Sequence, residues 1–331
     1  MEKMLDFVAV GDITTDAFIR IKDASINCDV NRENCMLCMR FGDKIPYESV
    51  TIVRAVGNSP NAAVSAARLG LSSALVTNLG HDQNGDECLE SLRKDEVITN
   101  YIHTHEDMPT NYHYVLWYES ERTILIKHQE YAYRFPENLP PPKWMYLSSL
   151  ASNSLPYHEQ IVSFLAAHPE TKLSLQPGTF QMKLGYDKLK SLYERTELFF
   201  CNKEEAQRIL NTKDEDVAEL VKKIRALGPR VAIISDGPKG AYSDDGNERW
   251  FIPIYPDPKP PIDRTGAGDA FSSTFTAALA LGKTIPEALS WGPINSMSVV
   301  QYVGAQEGLL SREKLEGYLA HAPDEYRVKP F

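Results

Sequence analysis

The chain has 331 residues, 43% of them hydrophobic, with 35 Lys and Arg against 45 Asp and Glu for a formal net charge of −10. That length suits one large α/β domain or two smaller ones with a substantial core, and an acidic chain without a basic stripe excludes nucleic acid as the expected partner. No apolar run is long enough to span a membrane, and Met1-Glu2-Lys3-Met4-Leu5-Asp6 lacks the features of a signal peptide, so a cytoplasmic protein with no membrane partner is expected.

In chain order, residues 6–12 read as a buried parallel strand running into a turn. Residues 20–56 are mixed, rich in Asn, Asp and Cys, and suggest an excursion from the main fold. Cys28, Cys35, Cys38, Cys88 and Cys201 are an odd set without a secretory signal and are expected as reduced thiols. The Cys35-x-x-Cys38 pair lacks the second pair that zinc usually needs, so its thiols are read as small apolar groups on a half-buried strand.

Ser59 as N-cap, Pro60 in the first turn and Gly70 after the end delimit an Ala- and Ser-rich helix over 62–69. A strand at 74–80 is followed by a turn, Gly80-His81-Asp82-Gln83-Asn84-Gly85, and then by a hairpin of 112–118 and 123–128 around a polar turn. From residue 144 onward, strands at 144–147, 172–175, 198–201 and 231–235 alternate with helices near 155–167, 184–194, 203–210 and 214–227. This alternation implies right-handed crossovers and a parallel sheet. A strand at 249–254 and helices near 268–281, 285–301 and 311–320 complete the chain.

The densest chemical signal is Asp263-Arg264-Thr265-Gly266-Ala267-Gly268-Asp269-Ala270-Phe271. Gly266, Ala267 and Gly268 leave the backbone bare where a helix begins, and unpaired N–H groups there, with the helix dipole, favour an anion, typically phosphate. Asp269 is a carboxylate at the mouth of that site. An acid beside bound phosphate is repulsive unless it has a task, and the evident task is to take a proton from an attacking hydroxyl while the small-residue turn holds the transferred phosphoryl group.

This string resembles the C-terminal signature of the ribokinase/PfkB family of sugar and nucleoside kinases, whose common pattern is Asp-Thr-Thr-Gly-Ala-Gly-Asp, with Arg264 in place of the first Thr. The second family signature, a Gly-Gly start with an Asn shortly after, is matched by Val56-Gly57-Asn58-Ser59-Pro60-Asn61, with Val56 at the first Gly. The resemblance runs from about Asp6 to Gly308. It implies a single α/β domain over 1–331, a doubly wound and mostly parallel sheet flanked by helices, with a small β lid inserted at about 20–56 and 100–130.

The same resemblance implies an ATP- and Mg²⁺-dependent transfer of the γ-phosphoryl group to a hydroxymethyl group of a sugar or nucleoside. Asp269 is then the general base and Gly266, Ala267 and Gly268 form the anion hole. Asp16, Gly57, Asn58 and Asn61 fall at the acceptor, with Asp12 read as a turn residue. Asn202 and Glu205 match Asn-x-x-Glu near the phosphates, with Glu205 toward Mg²⁺ through water, although an isolated string of this kind also caps a helix. Ser235, Gly237, Gly240 and Thr265 fall at the nucleotide, with Asn295 and Ser298 on its adenine side. Asp263 matches a monovalent-cation position, potassium in kind, with the charge of Arg264 close by.

Ribose-containing acceptors are placed first. A fructokinase-like hexose kinase, a sugar-phosphate kinase and a non-catalytic binding module of the same fold remain alternatives. Asn58 stands where several sugar-phosphate kinases carry a Lys, while Arg54, Lys127 and His128 are the lid residues able to supply charge. The aromatic lid hairpin is read as core or as a homodimer contact.

Overall fold

The computed structural model describes residues 4–29, 35–119 and 121–331; Ser120, in the polar turn of the expected hairpin, lies outside them. A ten-stranded sheet runs in the order Lys329–Pro330, Arg249–Ile252, Ala241–Asp244, Val231–Ser235, Thr196–Asn202, Lys172–Leu175, Trp144–Leu147, Phe7–Val10, Ser73–Gly80 and Ile102–His105. The strands from Val231–Ser235 to Ile102–His105 are parallel, and the other three add an antiparallel edge.

The central strands are apolar on both faces because helices cover both. Along Phe7–Val10, Phe7 and Ala9 enter one core while Val8 and Val10 enter the other. Trp144 and Tyr146 divide from Met145 and Leu147 in the same way. This period-2 division of continuous hydrophobic strands is what a doubly covered parallel sheet requires.

A second sheet of four strands, Tyr47–Val56, Thr14–Ile21, Tyr112–Tyr118 and Glu121–Leu125, stands apart from the first. Its strands begin earlier than the expected excursion, at Thr14, while Ile102–His105 belongs to the large sheet. A short ladder of Ser25–Asn27 and Met36–Cys38 lies beyond the strand Thr14–Ile21.

Several local expectations change. Cys28 and Cys35 form a disulfide, with Cα atoms 4.0 Å apart, so these two thiols are not free; Cys38, Cys88 and Cys201 are. The helix opened by Pro60 runs Asn58–Arg68 and its N-cap is Gly57, not Ser59. The Ser59 hydroxyl instead donates to Val10 O at 2.7 Å and meets Ser148 Oγ at 2.6 Å, tying the helix start to two core strands. The turn after Gly80 continues into the helix Gln83–Lys94, capped by Asp82 accepting from Gly85 N at 2.8 Å.

Candidate active site

The helix Ala267–Ala280 begins at the C-terminal ends of the parallel strands, the place where open α/β sheets bind ligands. Gly266 precedes it at φ 78°, and a Cβ there would stand 2.3 Å from Ala305 Cβ, so the turn admits only glycine. Asp269, in the first turn of this helix, is buried. Gly57 is the second constrained glycine, at φ 126°, with a Cβ position 2.7 Å from Asp12 O.

Three amides from three parts of the chain aim at Asp269. Asn58 Nδ2 donates to Oδ1 at 2.9 Å, Asn61 Nδ2 to Oδ2 at 2.8 Å and Gln176 Nε2 to Oδ1 at 3.1 Å. Each amide is oriented by further contacts. Asn61 Oδ1 accepts from Gln306 Nε2 at 3.0 Å, which fixes Asn61 with its NH₂ toward Asp269. Gln176 Oε1 accepts from Tyr146 OH and from Ser272 Oγ, leaving its NH₂ for Asp269. Burial pushes the Asp269 carboxyl above its ordinary range, and the three amides pull it back in part. A carboxylate of raised basicity, held in one orientation, is suited to accepting a proton.

Two hollows meet beside this residue. The one toward the small sheet has a volume of about 560 Å³ and brings together Asp12, Asp16, Gly57, Asn58, Asn61 and Asp269. Both oxygens of Asp12 are engaged, accepting from Tyr133 OH at 2.8 and 2.9 Å and lying 3.2 Å from His128 Nδ1 at Oδ2. Asp16 is different: its buried Oδ1 has no hydrogen-bond partner, and His113 Nδ1 stands 3.4 Å from it. A buried carboxylate oxygen without a partner is costly, and a ligand hydroxyl would supply the missing donor.

The other hollow, about 550 Å³, is lined by Asn202, Glu205, Ser235, Gly237 and Gly268. A more apolar extension holds Gly240, Tyr255, Pro261, Pro293 and Met297. Gln176 and Glu205 border both hollows, so the two form one cleft; Asp269 lines the side toward the small sheet, against Gln176, and its chain neighbour Gly268 lines the other. Asn202 and Glu205 cap their helix reciprocally: Glu205 N donates to Asn202 Oδ1 at 2.8 Å and Asn202 N to Glu205 Oε2 at 2.9 Å. Burial raises the Glu205 carboxyl, and the charge of Asp269 adds to that rise. Two carboxylates facing one cleft favour a cation between them. Among the described residues no group of three or more His, Cys, Asp or Glu could hold a metal ion by itself.

Residues 23–312 match the family described as pfkB family carbohydrate kinase. The chain belongs to that family. Among its pfkB-type relatives, the ATP-dependent 6-phosphofructokinase of Thermoanaerobacterium thermosaccharolyticum is 27% identical over 283 residues, covering 82% of this chain and 86% of the relative. The ribokinase of Bacillus subtilis is 28% identical over 275 residues, 80% of this chain and 87% of its own. The Arabidopsis thaliana ribokinase solved with ribose and ATP is similar with a TM-score of 0.78 at 21% identity, covering 96% of this chain and 99% of that one.

Within this pfkB chain, two expected nucleotide residues lie off the cleft. Asn295 is fully buried, its NH₂ donating to Thr274 Oγ1 at 2.7 Å and its Oδ1 accepting from Leu310 N at 2.9 Å. Ser298 lies on the same side of its helix, whereas Pro293, Ser296, Met297 and Val300 turn toward the cleft. The helical period separates the two sets. Thr265 borders the acceptor hollow, not the nucleotide one. Arg54 pairs with Glu87, and neither Arg54 nor Lys127 lines the acceptor hollow, which Lys183, His113 and His128 do. Gln176, His113 and Tyr133 were missed from sequence; Gln176 sits directly after a core strand, a signal that could have found it.

Proposed function

We propose that the protein transfers the γ-phosphoryl group of ATP to a hydroxymethyl group of a sugar or nucleoside, its 331 residues acting as one unit. The observation that carries this reading is the junction: Asp269, fixed by three amides, stands between an acceptor hollow with an unpartnered carboxylate oxygen and a second hollow at the bare helix N-terminus. In this reading Asp16, Asn58 and Asn61 hold the acceptor hydroxyls, with Gly57 allowing its close approach. Asp269 accepts the proton of the attacking hydroxyl as the oxygen–phosphorus bond forms and the bond to ADP breaks. The backbone of Gly266, Ala267 and Gly268 receives the charge on the transferred group.

Asn202, Ser235, Gly237 and Gly240 border the triphosphate and ribose of ATP, and the apolar extension takes the base. Glu205 would hold Mg²⁺ through water, the ion neutralising the phosphates during transfer. Positioning and electrostatics supply most of the acceleration, since phosphoryl transfer needs little covalent help.

Ribose-containing acceptors come first. The hollow offers the carboxylates of Asp16 and Asp269 and neighbouring amides to hydroxyls, and Arg54, the lid arginine that would recognise a sugar phosphate, is tied to Glu87. A sugar-phosphate acceptor is the second reading, favoured by Lys183 on the rim and by the phosphofructokinase relative. The row Ile52, Ala17, Tyr114 and Leu125 crosses the outer face of the small sheet, with Ile52, Tyr114 and Leu125 exposed, and supports pairing with a second copy there. Phosphorus NMR of the product from ATP and ribose or a nucleoside tests the reaction. A phosphomonoester on the hydroxymethyl carbon supports it, and unchanged ATP with every acceptor would overturn it.

A further inference from the structure

The small sheet sends one charged side chain into the anion turn. Arg122, on the strand Glu121–Leu125, donates from Nη1 to both Asp263 Oδ1 and Thr265 Oγ1. Asp263 is 2% exposed, and its carboxylate has no free oxygen: Oδ1 also accepts from Thr265 N at 2.6 Å, and Oδ2 from Gly304 N at 2.9 Å. The side chain of Arg122 is itself only 12% exposed. Arg264, the cation expected here, is exposed and lies near Asp257, outside this cluster. A second contact joins the same parts: a Cβ on Gly304 would lie 3.1 Å from Val53 of the small sheet.

A monovalent cation at Asp263 would need a shell of oxygens centred where the Arg122 guanidinium already sits, and would meet its positive charge at contact distance. The oxygens of Asp263 and Thr265 therefore do not fit a metal ion while Arg122 is in place. A buried carboxylate must be neutralised, and a guanidinium, always charged and rigid in its donors, does so without an ion.

We propose that Arg122 is the built-in cation of the anion turn: its guanidinium takes the place of potassium, making phosphoryl transfer independent of monovalent cations and dependent on docking of the small sheet. Arg122 is a positioning residue. It holds Asp263 and Thr265, and through them the backbone of Gly266, in the geometry that receives the phosphoryl charge. The rate effects rest on the kinase reading; binding of the ion does not.

The test pairs two readouts on the full chain. Turnover is measured in potassium, sodium and choline chloride at one ionic strength, and the melting temperature is followed in the same salts without substrates. The wild type is expected to show the same rate and melting temperature in all three. Arg122→Ala should lose on the order of 100-fold in kcat, as expected for a lost electrostatic contact at an anion hole, and regain rate with potassium or guanidinium. Its melting temperature should rise in potassium alone. Arg122→Lys, which keeps the charge, should retain more rate than Arg122→Ala and settles the matter if the alanine variant does not fold. A wild type activated or stabilised by potassium overturns the proposal, and so does an Arg122→Ala loss that neither cation restores. If no acceptor turns over, the melting series still decides whether potassium binds.

Discussion

Asn61 and Asp269 are 208 positions apart in the chain, and Asn61 Nδ2 donates to Asp269 Oδ2 across 2.8 Å. The bond joins the first turn of one helix to the first turn of another, and Gln306 locks the Asn61 amide in the orientation that makes it. The proposed base is thus held from the acceptor side of the cleft, so acceptor binding and proton acceptance share one scaffold.

The bond has a pH signature. Burial raises the Asp269 carboxyl, and Asn61 is the strongest of the amides opposing that rise. Asn61→Ala should therefore raise it further and move the acid limb of kcat/KM to higher pH than in the wild type. A pH–rate profile of the two proteins checks the shift; an unmoved limb would separate Asp269 from the rate.

Asp269→Asn should lower kcat by on the order of 10²–10⁴, the usual contribution of a general base, and leave ATP binding intact. Its stability at pH 7 should change by less than about 1 kcal/mol, because the buried charge removed is offset by an amide NH₂ that faces a donor, Asn61 Nδ2 being held toward this position by Gln306. A group whose folded-state pKa is raised contributes stability below its unfolded value and loses it as pH rises through the folded value, so ionised Asp269 costs stability at pH 7. Urea titration of both proteins at pH 7 checks the second half.

Glu205→Gln distinguishes a helix cap from a metal-side residue. Gln can still reach back to the Asn202 backbone N–H, so stability should change by less than about 0.5 kcal/mol. The magnesium dependence of turnover should nonetheless weaken by about 10- to 100-fold, the usual effect of losing a partner that orients an ion through water. Loss of stability with unaltered magnesium dependence would make Glu205 a cap alone.

Gly266→Ala places a Cβ at 2.3 Å from Ala305 Cβ on a backbone at φ 78°. Left-handed backbone and overpacking together should cost about 2–4 kcal/mol, measured by denaturant unfolding, with a loss of kcat in whatever fraction folds. Gly268→Ala, whose Cβ would meet only Gln176 Nε2 at 3.7 Å, should cost far less stability.

What could be read in advance follows the range of the interaction. The string from Asp263 to Asp269 is a local device, a bare turn entering a helix, and its residue types declare it. Six of the seven parallel strands were legible because both of their faces are apolar; the seventh, Ile102–His105, is a polar edge strand and fell within the expected lid. The turn over residues 80–85 leads into a helix, Gln83–Lys94, that the sequence does not announce: only Gly85, Cys88 and Leu92 are buried in it, too sparse a stripe to show its period. Arg122 could not be assigned to the site because its partners lie 141 and 143 positions away; Gln176, 93 positions from Asp269, had only its place directly after a core strand to mark it. Asn295 failed for the opposite reason: an amide beside a cleft reads the same whether it faces ligand or core, and here Thr274 and Leu310 claim it. The Cys28–Cys35 bond escaped a reading that took the absence of a secretory signal to mean reduced thiols.

The central claim is that Asp269 drives phosphoryl transfer from ATP to a sugar or nucleoside hydroxymethyl group. Coupled ADP release is measured with magnesium and ATP across pentoses, hexoses, nucleosides and sugar phosphates, for the wild type and Asp269→Asn. The account predicts one strong acceptor, ribose-containing, and near-silence from the variant with the same acceptor. A variant that keeps most of the rate, or a wild type that binds ATP and turns over no acceptor in the panel, would contradict it.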